Sequence, residues 1–473
     1  MTLNPSVLWR FDRRVRRLPF LIWALCLGGV KGCLDQGVSG WLGLAEWSWS
    51  SYFTEPLPGF ARGAMSFGGG VALIMLCLAV PFLWAGCALC LGRLRSAGLP
   101  LWWVGLFVVP VLKWFLFIAL VLVPDGEPGV ASATGGDAGG GNRSRGSSGS
   151  WVEGLPASRL GSAVAAIAIS ALLSGVAAVI ATELLKTYGW GLFAGLPFMM
   201  GFLAAVLHGA RQPREWRDSV IVALLAVGLV GVGFLVLAFE GVICLLMAAP
   251  LALALAGLGG LVGHTVQDAR WRRLPPTLGC LLPLVAMAPI LGTETFRPGP
   301  PPLLKVTTSV QVSASPAQVW RHVVEFAELP PPTEPLFRWG IAYPIRAEIR
   351  GRGVGAVRHC VFSTGPFVEP VTVWDEPRLL GFTVTENPAP MEEWTPYDEV
   401  HPPHLDGFLV SRRGQFRLEP TPDGGTLLEG TTWYHHSLWP AAYWQVWSDQ
   451  IIHAIHRRVL DHVRTLAEAG VPE

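Results

Sequence analysis

The chain has 473 residues, of which 51% are hydrophobic and only 15% charged, and its formal net charge is +1. Soluble domains carry about a quarter charged residues, so much of this chain belongs in lipid rather than in water. The near-neutral balance removes the bulk electrostatic case for a nucleic-acid partner.

The N-terminus opens with a basic cluster, Arg10, Arg13, Arg14, Arg16 and Arg17, before an apolar stretch from Leu18 to Val30. No small-x-small cleavage site follows and further apolar stretches do, so we expect a first membrane anchor rather than a signal peptide. Judged by the usual length of roughly 20 residues, about eight spans are expected. They cover residues 18–34, 68–91, 101–123, 160–182, 190–207, 219–239, 241–263 and 278–292. The sixth and seventh are interrupted only by Glu240-Gly241, which we read as a hairpin turn rather than a site. Small residues crowd Ala163 to Ala178 and Ala249 to Gly260, which permits close helix packing. Arginines before the first span, at Arg93/Arg95, at Arg211–Arg217 and at Arg270–Arg273 all mark inside loops. A count of eight spans sets the last two outside, so the side of the C-terminal domain stays open.

Seven of the 8 cysteines (Cys26, Cys33, Cys77, Cys87, Cys90, Cys244 and Cys280) lie in or beside apolar segments. Cys87 and Cys90 form a C-x-x-C without a second pair or a histidine ligand, so buried packing is expected of them, not metal or redox chemistry.

Two stretches divide the chain. Gly and Ser dominate residues 125–158, a composition that cannot bury a core and reads as a flexible linker. Residues 294–303 hold Pro-Gly-Pro-Pro-Pro, an extended spacer. The expected organisation is a three-span region over 1–124, the linker, a second helical region of about five spans over 159–293, the spacer, and a soluble domain over 304–473.

The soluble part begins with alternating Val306, Val310 and Val312. Ser315-Pro316 then supplies an N-cap and a first-turn proline for a helix with Val319, Trp320, Val323 and Phe326 on one face. Strands are expected at about 347–350, 356–363, 367–374, 379–386, 407–418 and 426–435, with turns at Gly351-Arg352-Gly353, Gly365-Pro366 and Pro422-Asp423-Gly424-Gly425. A long amphipathic helix closes the domain over 439–469. Trp447, Ile451, Ile455, Val459 and Val463 recur every four residues, and Trp444, Ile452 and Leu466 broaden the stripe.

Two resemblances follow from these residues. The order strand, A-S-P-A-Q-V-W helix (Val312 to Trp320 carry the opening), five or six strands, long helix resembles the START-like or SRPBCC superfamily, the polyketide cyclase/dehydrase and lipid-transport group. The resemblance implies a seven-stranded antiparallel sheet gripping a C-terminal helix around a hydrophobic cavity. Residues 10–130 resemble the bacterial inner-membrane family domain of unknown function 805. Arg93-Leu94-Arg95-Ser96-Ala97-Gly98-Leu99-Pro100-Leu101-Trp102-Trp103, then Val109-Pro110, then Pro124 to Gly129 carry that likeness. It implies a bacterial inner (cytoplasmic) membrane, and Arg95-Ser96 stands where that family has His-Asp. The fold class is thus a multi-span α-helical membrane protein with a C-terminal α+β helix-grip domain.

For the cavity, Arg358 and Cys360 share one strand face, and Glu429, Thr431, Trp433 and His435 share one face of the last strand. Trp374 and Trp447 add aromatic lining. These eight residues form the expected ligand site. The histidines lack a ligand motif such as H-E-x-x-H, so no metal, cofactor or catalytic residue is expected. The partner is a membrane lipid or another apolar small molecule, and the sequence names no protein partner. The favoured function is non-catalytic capture or sensing of that molecule at a membrane. A cyclase- or hydrolase-like enzyme and an assembly module are the alternatives.

Overall fold

The computed structural model describes residues 4–41, 69–108, 110–123, 125, 154–185, 188–267, 301–397 and 402–469. They divide into two compact units. One comprises Met1–Gly231 with Pro250–Gly299, and the other Val232–Ala249 with Pro300–Glu473. The expected linker over 125–158 and spacer over 294–303 lie mostly outside the described residues, as does the whole of the expected span over 278–292.

The helical elements are α1 (Arg17–Trp41), α2 (Gly69–Ala97), α3 (Pro110–Leu122), α4 (Arg159–Val179), α5 (Leu196–His208), α6 (Trp216–Val236) and α7 (Val242–Val266). Among the described residues, six helical segments are long and apolar enough to cross a membrane: Arg17–Val38, Cys77–Ala97, Arg159–Leu184, Gly191–His208, Trp216–Val236 and Val242–Val266. The expected third span over 101–123 is not one helix. A 3-10 turn over Leu101–Phe107 precedes α3, which starts at Pro110 and runs only 13 residues. Proline has no N–H to continue the preceding turn, so it opens a helix more readily than it continues one.

Arg93 lies near the C-terminal end of α2. It is fully buried, and its guanidinium donates to the carbonyls of Leu120 (2.9 Å) and Val123 and to Asp125 (2.7 Å). These acceptors lie at and beyond the C-terminal end of α3, where helix carbonyls lack intrahelical partners. In the same unit, α5 and the later part of α7 approach backbone to backbone. A Cβ at Gly201 would collide with the Ala256 carbonyl, and one at Gly259 with the Phe198 carbonyl. The small residues serve as a contact surface.

The second unit contains one seven-stranded sheet in the order β1-β7-β6-β5-β4-β3-β2. The strands are β1 (Leu304–Val312), β2 (Pro344–Arg350), β3 (Val357–Phe362), β4 (Gly365–Asp375), β5 (Leu379–Thr383), β6 (Leu409–Pro420) and β7 (Thr426–His436), and every neighbouring pair is antiparallel. The turn between β2 and β3 needs left-handed backbone at Gly351 (φ 93°) and Gly353 (φ 86°), which glycine adopts without a Cβ clash. Helix α8 (Pro316–Val324) starts as expected, with Pro316 in its first turn and the Ser315 N–H donating to Gln318 Oε1 at 3.0 Å. A single turn, α9 (Pro335–Arg338), precedes β2.

Helix α10 (Ala441–Ala469) lies in the grip of the sheet. Its buried stripe is Trp444, Ser448, Ile451, Ile452, His456, Val459, Leu460, Val463 and Ala467, while Trp447 is only half-buried. Val319, Trp320, Val323, Leu380, Leu418, Leu428 and Leu460 belong to one core between α8, the sheet and α10. Leu460 is 0% exposed and Val446, on the same helix, 56%. We therefore expect Leu460→Ala to cost about 2–5 kcal/mol and Val446→Ala under about 0.5 kcal/mol. Denaturant unfolding of the full chain in detergent, followed by tryptophan fluorescence, measures both. Equal losses would contradict the helix orientation.

Candidate functional site

The antiparallel pleat puts alternate residues of β3 inward, so Arg358, Cys360 and Phe362 face the interior and are all buried. On β7 the inward set is Leu428, Gly430, Thr432 and Tyr434. Thr432 Oγ1 meets His456 Nε2 at 2.7 Å and the Tyr434 hydroxyl meets Ser448 Oγ at 2.7 Å, both on α10. Between this face and α10 lies a cavity of about 110 Å³. Arg358, Cys360, Phe382, Phe416, Ile455 and His456 are among its walls.

Arg358 is the dominant polar group of this cavity. It is 1% exposed and pairs through Nη1 with Glu369, its direct partner across the β3–β4 hairpin. Its Nε donates to the Val324 carbonyl at 3.2 Å, where α8 ends. The guanidinium carbon lies 5.6 Å from the ring centroids of Phe326, Phe382 and Phe416, within cation–π range. Its Nη2 is buried and has no hydrogen-bond partner. Burial holds the Glu369 carboxyl above the ordinary carboxylate range, and Arg358 pulls it back down. Cys360 sits beside this pair. Burial pushes its thiol up to about 12, so it is a neutral wall rather than a nucleophile.

His456 is committed to structure. Thr308 Oγ1 meets its Nδ1 at 3.0 Å and Thr432 Oγ1 its Nε2 at 2.7 Å, so both ring nitrogens are occupied. Thr308 also meets His453 Nδ1 at 2.8 Å. Burial, with the nearby His453, lowers the His456 pKa to about 4.

Of the eight expected ligand residues, Arg358, Cys360 and Thr431 line the cavity. The others do not. Glu429, Trp433 and His435 lie on the β7 face opposite the one bonded to α10. The Arg413 guanidinium covers Trp433 at 4.2 Å, and Arg412 Nε donates to His435 Nδ1 at 3.3 Å. Thr431 shares that face, and its hydroxyl meets Thr307 Oγ1 at 3.1 Å. Trp374 packs edge-on against Trp320, with centroids 5.5 Å apart, at the margin of the core. Trp447 stands beside the buried stripe while Trp444 fills it. Sequence reading did not single out Glu369, Phe382 or Phe416. Glu369 had a usable signal, because counting back from a hairpin turn at Gly365 sets it opposite Arg358.

Residues 304–468 match the family model described as polyketide cyclase/dehydrase and lipid transport. The C-terminal domain belongs to this START-like superfamily. Such a family supports a hydrophobic-ligand-binding domain, and the grip, helix and cavity are its architecture. Among solved structures, a Nitrosospira multiformis protein is 18% identical, with 34% of this chain and 94% of that chain covered at a TM-score of 0.24. Norcoclaurine synthase of Thalictrum flavum, in complex with dopamine and hydroxybenzaldehyde, is 16% identical over 37% of this chain and 91% of that one, TM-score 0.25. A Thermus thermophilus protein is 14% identical over 36% and 100%, TM-score 0.23. No curated protein matches the chain.

The START-like domain should respond to acid through His456. Its folded pKa, about 4, lies below the ordinary value of 6.5, so the unfolded chain takes up the proton first. The contribution is complete above pH 6.5, falls as pH drops from 6.5 to about 4, and is flat below. Its full size is about 3 kcal/mol, from the pKa difference at about 1.36 kcal/mol per unit. Unfolding midpoints of the full chain between about pH 7 and 4 should fall in the wild type and fall less in His456→Gln. Parallel profiles would contradict the assignment.

Proposed function

We propose that the START-like domain is a non-catalytic binding module, held at a membrane by the helical region, for a small apolar molecule bearing one hydrogen-bond acceptor. The observation that carries this is the Arg358 Nη2 donor, buried and without a hydrogen-bond partner on the wall of an otherwise largely aromatic and aliphatic cavity. A buried donor left unmade costs free energy, and a ligand oxygen recovers it. Glu369 already balances the charge of Arg358, so a neutral carbonyl suits the site better than an additional anion.

Volume sets the ligand's size. About 110 Å³ is below the roughly 300–1,000 Å³ of common ligand pockets and near the roughly 150 Å³ that accommodates benzene. A whole lipid requires the grip to open, and a molecule of one ring does not. On the cavity wall, His456 is hydrogen-bonded at both ring nitrogens and the Cys360 thiol is neutral, which favours binding over turnover.

The test compares acetophenone with ethylbenzene on the full chain in nanodiscs, by ligand-observed nuclear magnetic resonance against empty discs. Acetophenone should bind about 10–100-fold more tightly, the value of one hydrogen bond from a charged donor. The double variant Arg358→Leu/Glu369→Leu removes both charges together and should erase that preference while keeping ethylbenzene binding. Absence of binding above empty discs, or an unchanged preference in the double variant, would overturn the proposal.

A further inference from the structure

Away from the cavity, the second unit gathers metal-ligating groups that the binding function does not use. Glu240 precedes α7, Cys244 lies in its first turn, and His404 sits in a short 3-10 turn over Pro403–Leu405. One ligand atom from each falls within 4.8 Å of the other two. Cys244 Sγ is 2.7 Å from His404 Nε2, and Glu240 Oε2 is 3.6 Å from His404 Nδ1.

Glu393 packs against the same turn. Its Oε2 accepts the Ile243 N–H at 3.3 Å. Glu393 is 7% exposed, and its Oε1 is buried with no hydrogen-bond partner. Gly241 makes room for it, because a Cβ there would collide with the carboxylate. Burial raises the Glu393 carboxyl above its ordinary range, with the Cys244 thiol opposing. The loop is fixed from outside by Val242 N–H, which donates to the Trp394 carbonyl at 2.9 Å, and by Ile243, which packs with Phe337, Ile341, Met391, Leu405 and Ile451.

We infer that Cys244 Sγ, a ring nitrogen of His404 and a Glu240 oxygen bind one divalent transition-metal ion of the zinc type, with the buried carboxylate of Glu393 close to the same turn. Thiolate, imidazole and carboxylate are the donors zinc takes. Zinc sits about 2.3 Å from sulfur and about 2.0 Å from nitrogen, so the S···N contact widens by roughly 1 Å on loading. On binding, the thiol proton leaves to solvent. A thiol next to an imidazole also suits a nucleophile, but two carboxylates beside it oppose a bare thiolate, and a cation removes that opposition.

The experiment titrates cobalt(II) into metal-free full-length protein in detergent. One equivalent should bind with a thiolate-to-cobalt charge-transfer band. Cys244→Ser should lose that band, Cys87→Ser and Cys90→Ser should keep it, and Glu240→Gln should weaken cobalt binding by about 10-fold or more. No such band in the wild type, or a band surviving Cys244→Ser, overturns the inference. Should Cys244→Ser fail to fold, wild-type protein decides: zinc must slow alkylation of Cys244 mapped by mass spectrometry. Alkylation indifferent to zinc overturns the site, and rapid alkylation that depends on His404 replaces it with a nucleophile.

Discussion

Burying the guanidinium of Arg358 is the constraint from which the C-terminal domain is best understood. A lone charge in an apolar interior costs several kcal/mol, so its partners must be in place wherever the chain folds this way. Glu369 supplies the counter-charge, Val324 a carbonyl, and three phenylalanine rings their negative faces. These partners come from β4, the end of α8, the segment after it, β5 and β6. One side chain thereby ties the β3–β4 register to the position of α8. A slip of one residue in that hairpin would turn Arg358 outward or leave Glu369 inside alone, so the pair guards the register as well as the cavity.

The succession of strands along the chain, the capped α8 and the long α10 were legible because each rests on local signals: alternation, Ser315-Pro316, turn glycines and a helical stripe. The inner face of β3 was legible for the same reason. The β7 face was not. Both of its faces mix polar and apolar residues, Glu429, Thr431, Trp433 and His435 against Leu428, Gly430, Thr432 and Tyr434. What decides between them is His456 and Ser448 on α10, a partner that strand periodicity does not contain. The helix stripe was broad enough to admit Trp447 as well as Trp444, and packing against the sheet chose the latter.

In the helical region, apolar length found the six long segments but not the break before α3. Hydropathy averages over a window and is blind to the missing N–H of Pro110. The same blindness hid Arg93. In the sequence its charge marks only the end of a span, and in the fold it also closes the end of α3. The group at Glu240, Cys244, Glu393 and His404 was unreadable for another reason: two sequence regions some 150 residues apart must meet before any spacing exists to notice.

The pairing of β1 with β7 also bears on how the domain reaches its fold. Thr307 and Thr431 touch across 124 residues of chain. Antiparallel neighbours β2 to β7 are all joined in sequence order, but β1 has no strand partner until the very last one has formed. The loop-closure entropy of that contact falls late, which makes this a slow-folding topology. Until β7 arrives, the alternating valines of β1 present an open edge to any other chain nearby, and that interval is when the domain is most exposed to misassociation.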